Sequence, residues 1–99
     1  MKEADFIRSR ADKTVFLFCV GVINLLNINC DYKLTPSAQI QFNHLLQKNF
    51  LPSYERFTSA LTFIFSDKMS FNDTEEEELA QDKLIEWYNE QEAKLYSNN

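Results

Sequence analysis

Apolar residues recur along the first third of the chain at Ile7, Ala11, Val15, Phe18, Val22 and Leu25, separated by four, four, three, four and three positions. That rhythm keeps all six on one face of a 3.6-residue helix, so the pattern predicts a helix over about residues 4–29. Its first turns carry Arg8, Arg10, Asp12 and Lys13. Residues 15–28, VFLFCVGVINLLNI, are instead apolar nearly all round, as suits a helix enclosed by others. The valines and phenylalanines of 15–23 would also suit a strand, but helical spacing continues on both sides of them.

Thr35 followed by Pro36 reads as a helix start, with the hydroxyl capping free N–H groups and the proline at the first helical position, where its missing N–H is not needed. Ala38, Phe42, Leu45 and Leu46 form the inner face of this second helix, expected over 36–49. Pro52 and Ser53 repeat the device for a third helix over 53–66, with Tyr54, Phe57, Leu61 and Ile64 at helical spacing. Thr74 and Glu77 form a Thr-x-x-Glu capping box for a fourth over 74–96, whose acidic first turn suits the positive end of the helix dipole. The linkers, about 30–34, 50–52 and 67–72, are short enough to make neighbouring helices pack antiparallel. The expectation is a single domain, residues 1–99, folded as a small all-α, antiparallel four-helix bundle.

Drawn at 100° per residue, the fourth helix places Ala80, Leu84, Trp87, Tyr88 and Leu95 within one sector, the face expected to enter the bundle. Trp87 is expected to be buried there against the first and third helices. Glu78, Asp82, Glu86 and Glu90 follow one another at intervals of four on the other side, the spacing at which like charges repel by a few tenths of a kcal/mol per pair. Lys94 stands four residues beyond Glu90 and Lys83 borders the row. Leu79 projects between Glu86 and Glu90, and Ile85 lies on the opposite border near Glu78. An apolar side chain set into an acidic ridge has the composition of a binding hot spot. A charged helix face more simply keeps a small protein soluble, and both accounts are open at this point.

Charge distribution sharpens the question. The 99 residues carry a net charge of −5. Residues 1–66 contribute +2 and residues 67–99 contribute −7, so the acidity belongs to the C-terminal third. The only local basic cluster, Arg8, Arg10 and Lys13, alternates with Asp5 and Asp12, which argues against direct nucleic-acid binding. Residues 15–28 are shorter than the roughly 20 apolar residues a spanning helix needs and include Asn24 and Asn27, so no membrane segment is expected. The leader mixes Glu3, Asp5 and Asp12 with its basic residues, no small-x-small cleavage site follows, and Asn-Ile-Asn before Cys30 does not suit lipoprotein processing. Cys19 and Cys30 are about 16 Å apart along a continuous helix, beyond disulfide reach, and read as free thiols of a cytoplasmic protein.

Catalytic and cofactor chemistry finds no foothold. His44 is the only histidine and has no nucleophile or metal-ligand spacing around it. Residues 67–78, DKMSFNDTEEEE, have the length and final Glu of a calcium loop, but Met69 and Phe71 sit where oxygen donors are needed and no central glycine makes the turn. With one glycine there is no phosphate-binding loop. No enzyme activity, cofactor or metal is therefore expected.

In size and charge the chain resembles the small acidic helical inhibitors and immunity proteins of bacterial toxin pairs and phages, without sharing a motif with them. That resemblance and the acidic helix together point to a cytoplasmic inhibitor that occludes a basic protein partner, a nuclease toxin being the obvious type. The partner-binding residues would be Glu78, Leu79, Asp82, Glu86 and Glu90. The alternatives are a structural or adaptor subunit of a homo- or hetero-oligomer and, within the inhibitor class, a phage-type mimic of nucleic acid.

Overall fold

The computed structural model describes residues 10–28, 32–68 and 74–97. They form four α-helices: α1 (Arg10–Leu25), α2 (Pro36–Gln47), α3 (Tyr54–Lys68) and α4 (Thr74–Ser97). There is no strand among the described residues, and the helices form an all-α four-helix bundle. The part of the first helix expected over residues 4–9, the second cysteine Cys30 and the lead-in over 69–73 lie outside the described residues.

α1 is the central helix, as its all-round apolarity requires. Val15, Phe18, Cys19, Val20, Val22 and Ile23 are all buried. Phe18 is the hub, its ring 5.8 Å from Phe42 of α2, 5.3 Å from Phe50 in the α2–α3 linker, 6.5 Å from Phe57 of α3 and 5.8 Å from Trp87 of α4. One side chain thus meets every other helix or the linker beside it, in tilted and edge-on geometries instead of the face-to-face stack that aromatic quadrupoles disfavour. Among the described residues no helix is long and apolar enough to cross a membrane. Residues 15–25 of the apolar run belong to this core helix, and residues 26–28 form the turn that follows it.

The helix ends show how the chain turns with so little glycine. α1 stops at Leu25, four residues before the expected end. Asn27 adopts the left-handed conformation (φ 59°), its N–H donates to the Asn24 carbonyl at 3.1 Å, and the Ile28 N–H donates to the Ile23 carbonyl at 3.0 Å. This is a Schellman ending, which satisfies carbonyls the last turn would leave open. α2 ends the same way: Asn49 (φ 59°) follows Lys48, and the Asn49 and Phe50 N–H groups donate to Leu46 and Leu45. Asparagine fills the role because its short polar side chain tolerates the left-handed region better than other non-glycine residues. Asn24, which sequence marks as a polar intruder, donates its amide to the Val20 carbonyl at 2.8 Å and to the Tyr32 carbonyl at 3.5 Å, tying the loop back to α1.

The starts follow the sequence with two adjustments. Thr35 caps α2 by accepting from the Ala38 N–H at 3.1 Å, with Pro36 as the first helical residue. Ser53 caps α3, accepting from the Arg56 N–H at 3.3 Å, so Pro52 precedes the cap instead of occupying the first turn. α3 then runs to Lys68, two residues further than expected. Thr74 is the first helical residue of α4 rather than the residue before it, and the preceding Asp73 lies outside the described residues.

α4 docks largely through aromatic side chains. Tyr88 meets Phe57 and Tyr54 near the start of α3 (ring centroids 4.8 and 5.5 Å), while Gln81 and Ile85 share a small pocket with Leu61, Thr62 and Phe65 further along it. Contacts in opposite chain order mean that α3 and α4 run antiparallel. Ala80, Leu84 and Tyr88 are buried as the wheel requires. Trp87 corrects it: the ring is half-buried, touches Phe18 of α1, and lines a groove with Leu46, Phe50 and Leu51 of α2 and its following linker, not with α3. Leu95 is 37% exposed at the edge of that groove. The aromatic this helix buries fully is Tyr88, whose hydroxyl donates to the Pro52 carbonyl at 2.7 Å.

Candidate interaction face

The acidic ridge is built by the helical repeat of α4 and by what the helix has already buried. With Ala80, Leu84 and Tyr88 committed to the core, the other side of the same turns must face outward. Glu78, Leu79, Asp82, Glu86 and Glu90 are all exposed, spread over about 18 Å of helix. Leu79 is 59% exposed, the same as Ile40 on α2.

The five residues fall into overlapping groups. Leu79, Asp82 and Glu86 line one surface groove of about 520 Å³, together with Glu76, Ala80 and Lys83 of α4 and Asn27 and Ile28 from the turn that ends α1. Asp82, Glu86 and Glu90 border a shallow depression with Ile85, Asn89 and Ala93. Glu78 lines neither. The groove's far wall was not foreseen from sequence, because a first helix running to residue 29 leaves no turn there. The Leu-Leu-Asn-Ile ending at Ile28, apolar residues around an asparagine, is the signal that marks it.

Lys83 lies within the groove, flanked in sequence and space by Asp82 and Glu86. Lys94, expected to relieve the end of the row, lines the Trp87 groove instead. The ridge therefore presents carboxylates at four-residue intervals with an apolar side chain among them and one lysine at its border. That surface can attract a cation-rich surface and offer it a dry contact. It holds no nucleophile.

Two side chains of reactive types lie elsewhere on the fold. Cys19 is fully buried, its thiol donates to the Phe57 carbonyl at 3.8 Å, and burial pushes its pKa far up, which keeps it out of the reactive thiolate form. His44 is exposed in the last turn of α2. Among the described residues no group of His, Cys, Asp or Glu is arranged to hold a metal ion. Comparison with models of known protein families, with curated proteins and with solved structures finds no match.

Proposed function

We propose that the chain is an inhibitor of the immunity-protein type, which binds through the outer face of α4 and occludes the basic, phosphate-holding site of another protein, most simply a nuclease toxin. The observation that carries this reading is Leu79, 59% exposed amid Asp82, Glu86 and Lys83 at the mouth of a groove. A face kept only for solubility gains nothing from an exposed leucine, whereas an interface needs an apolar anchor inside a polar rim. Nuclease sites gather Lys and Arg to hold phosphate, so a row of carboxylates is steered toward them and competes with the substrate for the same cations. A nucleic-acid mimic is the extreme form of the same mechanism.

The test is a co-purification from the native host with tagged wild type and with the Glu78→Gln, Asp82→Gln, Glu86→Gln, Glu90→Gln variant. Wild type is expected to retain a basic partner and the variant to lose it at moderate salt. Equal retention by both would remove the ridge from the mechanism.

A further inference from the structure

The groove beside Leu79 combines an apolar lining with an acidic rim, and one kind of side chain matches both. Ala80 and Ile28, which are buried, contribute its floor, and Leu79 stands exposed along it. Asp82 and Glu86, one turn apart on α4 and both exposed, supply carboxylates. Asn27 and Ile28 form the far wall and close α1, so the negative end of that helix's dipole lies against the same groove. No basic residue in the last turn of α1 offsets it.

The charges call for one cation. Glu76 also lines the groove but is already engaged, which leaves Asp82 and Glu86 against Lys83, the one cation on the groove among the described residues. Two carboxylates and one ammonium leave a single negative charge, to which the end of α1 adds about half a charge more. A metal ion does not suit the place: it would gain nothing from the apolar floor, and among the described residues no group of side chains is arranged to hold one. A lysine ammonium is compact and strongly hydrated, so resting it beside Leu79 costs it water. An arginine guanidinium is more weakly hydrated and presents five donors in one plane, enough to meet both carboxylates while its methylene stem covers the leucine. At about 520 Å³ the groove has room for a long side chain and the backbone that carries it.

We propose that this groove seats one arginine side chain of the partner, with its guanidinium held between Asp82 and Glu86 and its stem laid along Leu79. The proposal rests on the reading of this face as the binding surface and names the group it captures. The ridge attracts any basic protein, whereas the groove selects one that offers an exposed arginine. In a nuclease site such an arginine holds phosphate, so its capture removes a contact to the substrate.

The test needs no partner. The isotope-labelled full chain is followed by NMR at constant ionic strength while the blocked tripeptide acetyl-Gly-Arg-Gly-amide, or its lysine counterpart, is added. The arginine peptide is expected to give saturable shift changes centred on Asn27, Ile28, Leu79, Asp82 and Glu86, and to bind at least about threefold more tightly than the lysine peptide. Asp82→Asn with Glu86→Gln should abolish the binding, and Leu79→Ser should weaken it by about threefold or more. Glu55→Gln, at an exposed carboxylate on α3, should bind like wild type. All these side chains are exposed, so helical circular dichroism should match wild type in every variant. The proposal is overturned by the absence of saturable shifts, by shifts spread evenly over the acidic residues of α4, by equal binding of the two peptides, or by a double variant that binds like wild type. Any of these would leave the ridge reading standing, since the co-purification decides that separately.

Discussion

Gly21 shows how much one position can decide. It is the only glycine, it lies in the middle of α1, and a Cβ placed there would meet the ring of Phe42 well inside van der Waals distance. Alanine would gain about 1 kcal/mol of helix propensity, but forcing the α1–α2 contact apart costs about 1–3 kcal/mol. Gly21→Ala is therefore expected to lower stability in urea denaturation, and Phe42→Leu in the same chain should recover part of the loss. Sequence shows the glycine without its reason, because the ring that needs the space arrives from a different helix. Cys19 is a similar case: its spacing reads as a free thiol, but the depth of its burial depends on all the helices around it. Its folded pKa lies above that of the unfolded chain, so its stabilising contribution is complete below the ordinary thiol range and is lost as pH rises through and beyond it. Tyr88, raised by burial and then by Glu92, Tyr96 and Tyr54, acts in the same sense at higher pH. Stability should fall by about 1.4 kcal/mol per pH unit once pH passes about 9, and Cys19→Ala should flatten the first part of that fall. Urea titrations from pH 7 to 10 would measure both.

At the level of the helix, the starts of α2 and α3 were legible and the end of α1 was not. Thr35–Pro36 and Ser53 announce their helices through local chemistry that requires no knowledge of the fold, and the hydroxyls make the capping bonds expected of them. Thr35→Ala should cost about 1 kcal/mol. The end of α1 misled because Leu26, Asn27 and Ile28 continue an apolar run, and nothing in periodicity separates a helix that goes on from one closed by a left-handed asparagine followed by a buried Ile28. Asn27→Gly should be neutral or slightly stabilising, whereas Asn27→Val should cost about 1–2 kcal/mol, since a β-branched residue resists positive φ. Helicity and melting temperature of the two variants would separate the outcomes. The docked face of α4 was legible in direction and wrong in emphasis. A wheel ranks positions by angle, so it selects Trp87 and Tyr88 alike, but the indole packs against Phe18 and lines the surface groove that Leu95 also borders, which leaves it half-buried. Trp87→Ala should cost about 2 kcal/mol, and Leu84→Ala, at a fully buried site, about 2–5 kcal/mol.

Across the whole molecule, the four-helix architecture and the outward direction of the acidic residues follow from patterning, while the groove does not. Glu78, Leu79, Asp82, Glu86 and Glu90 are exposed because the helical repeat that buries Ala80, Leu84 and Tyr88 leaves them nowhere else to point. The wall supplied by Asn27 and Ile28 is a tertiary juxtaposition and could not be read from a chain whose first helix was drawn too long. The result is a molecule with unevenly spread charge: α2 carries no acidic residue, whereas residues 67–99 carry ten of the fifteen, four of them on the ridge. Uneven charge matters for encounter more than for folding, so neutralising the ridge should leave helical circular dichroism and melting temperature nearly unchanged and relieve a little repulsion. The most direct test is the association rate of the co-purified partner with wild type and with the quadruple Gln variant, measured at low and high salt. Our reading predicts that the variant associates at least about tenfold more slowly at low salt and loses most of its salt dependence, with Leu79→Ala raising the dissociation rate. Equal association rates and equal salt slopes for the two proteins would contradict it and leave the ridge as a solvated face.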